Sequence, residues 1–100
     1  MASDKHQGIM EAKKHIGDIE STLVDVSRKV WGFAEVGLQE NRSAEVQVKA
    51  LQAEGFEVEQ GTGGMPSAFV AEWGKGSPVI GFLGEYDALM GLSQKAVPTK

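Results

Sequence analysis

Val79-Ile80-Gly81-Phe82-Leu83-Gly84-Glu85-Tyr86-Asp87-Ala88-Leu89 is the stretch that decides how this 100-residue chain is read. Its first five residues are apolar at successive positions rather than at alternate ones, the pattern of a strand covered on both faces, and they predict a central strand over 79–83. Upstream, Ser67 to Trp73 alternates so that Phe69, Ala71 and Trp73 share one face, and Phe56-Glu57-Val58-Glu59 alternates apolar with acidic. Both read as half-buried strands, with Gly61-Thr62-Gly63-Gly64-Met65-Pro66 connecting them.

Before the strands the period changes. Ile16, Ile19, Leu23, Val26, Val30 and Phe33 recur at steps of three and four, with Lys14, Asp18, Ser21, Asp25 and Arg28 on the opposite side. This spacing predicts an amphipathic helix, with Gly37 as the left-handed residue that closes it. A second helix is expected from Asn41 or Ser43, carrying Ala44, Val48 and Leu51 inward and stopping at Gly55. Asn41 is not answered by an acidic residue at Ala44, so no capping box marks its start. Two helices followed by three strands cannot cover both faces of a central strand, so the chain is expected to be the front section of a larger α/β domain.

Composition narrows the function classes. Apolar residues make up 41% and charged residues 24%, which fits a soluble globular domain and not a disordered tail. Ten basic against fourteen acidic residues leave a net charge of −4 with no basic cluster, which argues against a nucleic-acid partner. With no cysteine there is neither a disulfide framework nor a thiolate metal site, and no apolar stretch is long enough for a bilayer. A cytoplasmic protein without nucleic-acid or membrane partners is expected.

Gly61–Gly64 lacks the helix that a phosphate cradle needs, and Pro66 removes an amide donor. His6 and His15 are out of register for a shared helix face and read as solvated. Glu85 and Asp87, directly after the expected central strand, are the sharper signal. Two carboxylates at the carboxyl end of such a strand can coordinate a hard metal, orient a ligand histidine or act as acid and base; an ordinary capped turn has the same spacing.

Trp31-Gly32-Phe33-Ala34-Glu35-Val36-Gly37-Leu38-Gln39-Glu40, Ala68-Phe69-Val70-Ala71-Glu72-Trp73-Gly74 and Gly81-Phe82-Leu83-Gly84-Glu85-Tyr86-Asp87-Ala88-Leu89 occur in one order and with compatible gaps. Together they resemble the metallopeptidase family of aminoacylases, carboxypeptidase G and succinyl-diaminopimelate desuccinylase, over about residues 13–97. The resemblance implies a three-layer α/β/α sandwich with a mixed sheet. This chain would supply its N-terminal part: a polar arm over 1–12, the front of the catalytic domain over 13–97 and a truncated end over 98–100.

It further implies an amidohydrolase that cleaves an N-acyl or N-aroyl amino acid such as p-aminobenzoyl-glutamate, using two divalent metal ions, zinc or manganese. Many relatives carry His-x-Asp after the third strand. Asp87 matches the Asp, which holds the metal site in position from behind, and Glu85 stands where the metal-binding His would be. The remaining ligands and the general base would lie further along the chain, so these 100 residues alone are expected to be inactive and to bind no metal tightly. A homo- or hetero-oligomeric parent is implied. A rival expectation is a non-catalytic module that pairs with a full-length relative. Met90 and Ala34 depart from the family, which usually has Pro at both positions.

Overall fold

A computed structural model describes residues 2–92, 95 and 97. Three helices precede a two-stranded antiparallel sheet, a mixed α/β arrangement. Helix α1 (Ala2–Asp18) takes in the segment read as a polar arm. That segment is rich in strong helix formers, and Gln7 Nε2 donates to Glu11 Oε1 at 3.3 Å one turn away. The 98–100 end expected from the sequence lies outside the described residues.

Helix α2 (Glu20–Phe33) follows after Ile19, where φ −103° and ψ 9° depart from helical values. The Ile19 amide still donates to the His15 carbonyl, and the Leu23 amide to the Ile19 carbonyl, each at 3.0 Å. The single helix expected from Ile16 is therefore divided at Ile19, while hydrogen bonds run on across the break. Its apolar stripe is only partly covered: Val26, Val30 and Phe33 are half-buried while Leu23 is exposed.

The end of α2 differs from the reading of the sequence. Ala34, not Gly37, takes the left-handed conformation (φ 47°), and its amide donates to the Val30 carbonyl at 3.3 Å. Leu38 is left-handed as well (φ 67°). A proline at position 34 could not adopt this φ, so the alanine there is matched to the turn.

Helix α3 (Asn41–Ala53) carries Ser43, Ala44 and Val48 to the buried side. Gly55 closes it as expected (φ 90°), with the Gly55 amide donating to Gln52 and the Phe56 amide to Leu51, the paired bonds of a Schellman ending. The chain then enters strand β1 (Glu57–Gln60), which pairs with strand β2 (Phe69–Glu72) in the register Glu57 to Glu72, Val58 to Ala71, Glu59 to Val70 and Gln60 to Phe69. Val58, Phe69 and Ala71 are half-buried on the side that α3 packs against, and Glu57, Glu59 and Glu72 lie on the open face. Between the strands, the chain makes a 3₁₀ turn at Thr62–Gly64.

The third strand does not form. Val79–Leu83 joins no ladder among the described residues, and Phe82 and Leu83 are 96% and 94% exposed. A strand buried on both faces needs neighbouring strands and two covering layers; here the sheet has two strands and α3 packs on it from one side. The three-layer sandwich is accordingly not assembled by the described residues.

The core is small and centres on α3. Val48, at 4% exposure, is its largest aliphatic member. Val48→Ala is expected to lower unfolding free energy by about 1–2 kcal/mol through lost burial and a residual void. Lys49→Ala, which removes only an exposed Glu45 pair at 2.7 Å, should change it by less than about 0.5 kcal/mol. Urea denaturation followed by circular dichroism would check both.

Candidate functional site

Between α2 and α3, the segment from Ala34 to Glu40 runs beside residues 86–88. Val36 and Ala88 form an isolated parallel bridge, and the Ala88 amide donates to the Glu35 carbonyl at 2.7 Å. Asp87 therefore lies against the loop that opens α3, and neither it nor Glu85 stands at the end of a formed strand.

Glu35 organises this region. Its side chain, 11% exposed, accepts from the Ser43 amide at 2.7 Å through Oε1. Through Oε2 it accepts from the Arg42 amide at 3.2 Å and from Arg42 Nε at 3.3 Å. Arg42 and Ser43 are the second and third residues of α3, whose leading amides have no intrahelical acceptor. Glu35 thus caps the helix from outside it, and its negative charge sits at the positive end of the helix dipole. The cap expected from Asn41 or Ser43 is not the one used: Ser43 Oγ is buried without a hydrogen-bond partner. The Arg42 guanidinium also lies 4.6 Å from the centre of the Phe33 ring, joining the end of α2 to the start of α3.

Glu40 makes a second link. Its Oε1 accepts from the Gln39 amide at 2.9 Å, and its Oε2 accepts from Ser67 Oγ at 3.2 Å. Ser67 is 4% exposed and sits just before β2. The Tyr86 hydroxyl donates to the Ser67 carbonyl, and the Tyr86 and Phe69 rings lie 6.1 Å apart at 38°. Glu40, Ser67 and Tyr86 together tie the start of α3 to the sheet and to the residue before Asp87.

Asp87 and Glu85 are both exposed. A Cβ added to Gly37 would stand 4.0 Å from Asp87 Oδ2, so the Asp87 carboxylate lies over a glycine. Among the described residues no group of three or more His, Cys, Asp and Glu is placed to hold a metal ion. Glu85 and Asp87 offer two carboxylates, short of the donor set that holds zinc or manganese, so the described residues do not fit a complete metal centre. His6 and His15 lie on α1, and both are exposed.

The sequence reading singled out Asp87 and Glu85 but missed Glu35, Glu40, Ser67 and Tyr86. One signal was available: a helix start without a capping box needs an acceptor from elsewhere, and Glu35 and Glu40 are the acidic residues just before it.

Electrostatics follow from these contacts. Burial pushes the Glu35 carboxyl up, but hydrogen bonds from Ser43 and Arg42 outweigh it and leave the group below its ordinary 4.5. Burial raises the Tyr86 phenol above 10.0, and the charges of Glu40 and Glu35 raise it further.

No protein-family model matches the chain. It is 47% identical over 72 residues to a subunit of p-aminobenzoyl-glutamate hydrolase from Escherichia coli (strain K12). The match takes in 72% of this chain and 15% of that protein, so the chain spans a small part of the curated relative's length. No solved structure matches.

The lowered Glu35 value means that the unfolded chain takes up this proton first as pH falls. Its stabilisation is present above 4.5 and is lost as pH drops through the folded-state value. The urea midpoint should therefore fall with pH in that window, and Glu35→Gln should flatten that limb; an unchanged slope would exclude Glu35 as its source. Tyr86 is the single tyrosine of the chain, so tyrosinate absorbance reports it alone. Its midpoint should lie above 10.0 and move down in Glu40→Gln, which removes a charge and keeps an acceptor for Ser67.

Proposed function

We propose that the chain is the N-terminal portion of a cytoplasmic, metal-dependent amidohydrolase that cleaves an N-acyl or N-aroyl amino acid. The observation that carries this reading is the 47% identity over 72 residues to the p-aminobenzoyl-glutamate hydrolase subunit, which also makes p-aminobenzoyl-glutamate the first substrate to test. That relative's designation as a subunit supports an assembly with further subunits. No helix among the described residues is long and apolar enough to cross a membrane.

Within this chain, Asp87 is the residue assigned to the metal centre, where it holds the site in position, and Glu85 is assigned as a ligand. The two carboxylates need donors from outside these residues, with zinc or manganese as the metal, so the chain alone is not the whole catalyst. The exposed run Val79–Leu83 favours a second reading, a non-catalytic module whose sheet pairs with that of a full-length relative. Co-sedimentation of the chain with such a relative, together with an inactive longer protein, would favour the module.

Release of p-aminobenzoate by the longer protein tests the first reading. Asp87→Ala should lower kcat about 10–100-fold or more, as loss of an orienting partner does, while circular dichroism stays unchanged. The 100-residue chain supplied with zinc or manganese should show no turnover; hydrolysis by it alone would overturn the reading of an incomplete catalyst.

A further inference from the structure

Asp87 is restrained from both neighbours. On one side, the Tyr86 hydroxyl is bonded to the Ser67 carbonyl and the Tyr86 ring lies by Phe69. On the other, the Ala88 amide is bonded to the Glu35 carbonyl at 2.7 Å. The Asp87 carboxylate itself makes no hydrogen bond or ion pair among the described residues, and it lies over Gly37, where no side chain crowds it. Its main chain is held while its two oxygens stay available.

Glu35 is what makes the second restraint firm. Its carbonyl can hold Ala88 in place only if its own peptide cannot turn, and its carboxylate is bound to two amides at the start of α3. One residue therefore carries the position of a helix to the loop that bears Asp87. Glu85 lacks such a frame: among the described residues it makes no hydrogen bond, and the residue before it is an exposed glycine.

We infer that Glu35 and Tyr86 are positioning residues, which clamp the peptide on either side of Asp87 and so aim its carboxylate for the reaction. This rests on the amidohydrolase reading and extends it from the carboxylate to the groups that hold it. A catalytic group displaced by about 1 Å can lose about a hundredfold in rate, so the clamp should appear in kcat more than in KM.

Two measurements test it. In the 100-residue chain, Glu35→Ala should speed exchange of the Ala88 amide about tenfold or more while the Val48 amide, in the core of α3, keeps its protection. In the longer protein, Glu35→Ala and Tyr86→Phe should each lower kcat about tenfold or more with KM within about twofold, and Glu35→Gln, which keeps one carbonyl acceptor, should recover part of the loss. Tyr86→Phe keeps the ring and serves if Glu35→Ala does not fold. Unchanged Ala88 exchange, or equal acceleration at Ala88 and Val48, would overturn the clamp. An active wild type with unaffected variants would overturn the clamp alone. An inactive wild-type longer protein would instead remove the amidohydrolase reading, and with it the purpose assigned to the clamp.

Discussion

A helix that starts without an acceptor for its leading amides must find one elsewhere, and α3 finds it in Glu35. The amides of Arg42 and Ser43 are satisfied by a carboxylate from the preceding loop, and Arg42 adds its guanidinium to the same group and to the Phe33 ring. The rest of the arrangement depends on this contact. It sets the direction in which α3 leaves α2, and α3 in turn carries Val48 and Ala44 into the core. A charged acceptor is stronger here than a serine or asparagine cap, because it answers two amides and the helix dipole together.

The sheet is a modest partner for that helix. Strands β1 and β2 hold one half-buried face against α3, while on the other face Glu57 stands opposite Glu72. Like charges in that position cost stability and also discourage the sheet from pairing with another edge. Val79–Leu83 gains nothing from this sheet, since it joins neither strand. Its exposed side chains and the small core have the same physical cause: too few layers to enclose a strand that is apolar on both faces.

The loop around Asp87 combines restraint and availability. Among the described residues, hydrogen bonds are made by the Ala88 amide and by the flanking Tyr86 hydroxyl, not by the Asp87 carboxylate, so its order costs the carboxylate none of its capacity to accept. The Glu40–Ser67–Tyr86 contacts give the same loop a tie to the sheet that is independent of Glu35. Likeness to a hydrolase subunit and a held but unengaged Asp87 carboxylate are separate observations.

Periodicity determined the helical character from Ile16 to Phe33 and around Ala44, Val48 and Leu51, and the alternating strands around Glu57–Gln60 and Phe69–Glu72, because those signals are local and repeat every two or every three to four residues; the stop at Gly55 came from the glycine itself, and the helix over the first twelve residues was not read. Glu85 and Asp87 were singled out from their place after an apolar run, and the structure leaves both exposed. The apolar run itself misled: Val79–Leu83 has the pattern of a central strand, but strand formation also needs a neighbour, which a pattern cannot supply. Nor could spacing decide that Ala34 would turn left-handed, or that Glu35 would cap a helix seven and eight residues away. Those outcomes belong to tertiary structure, where the acceptor that meets an orphan amide is chosen by the path of the whole loop and not by the residue next in the chain.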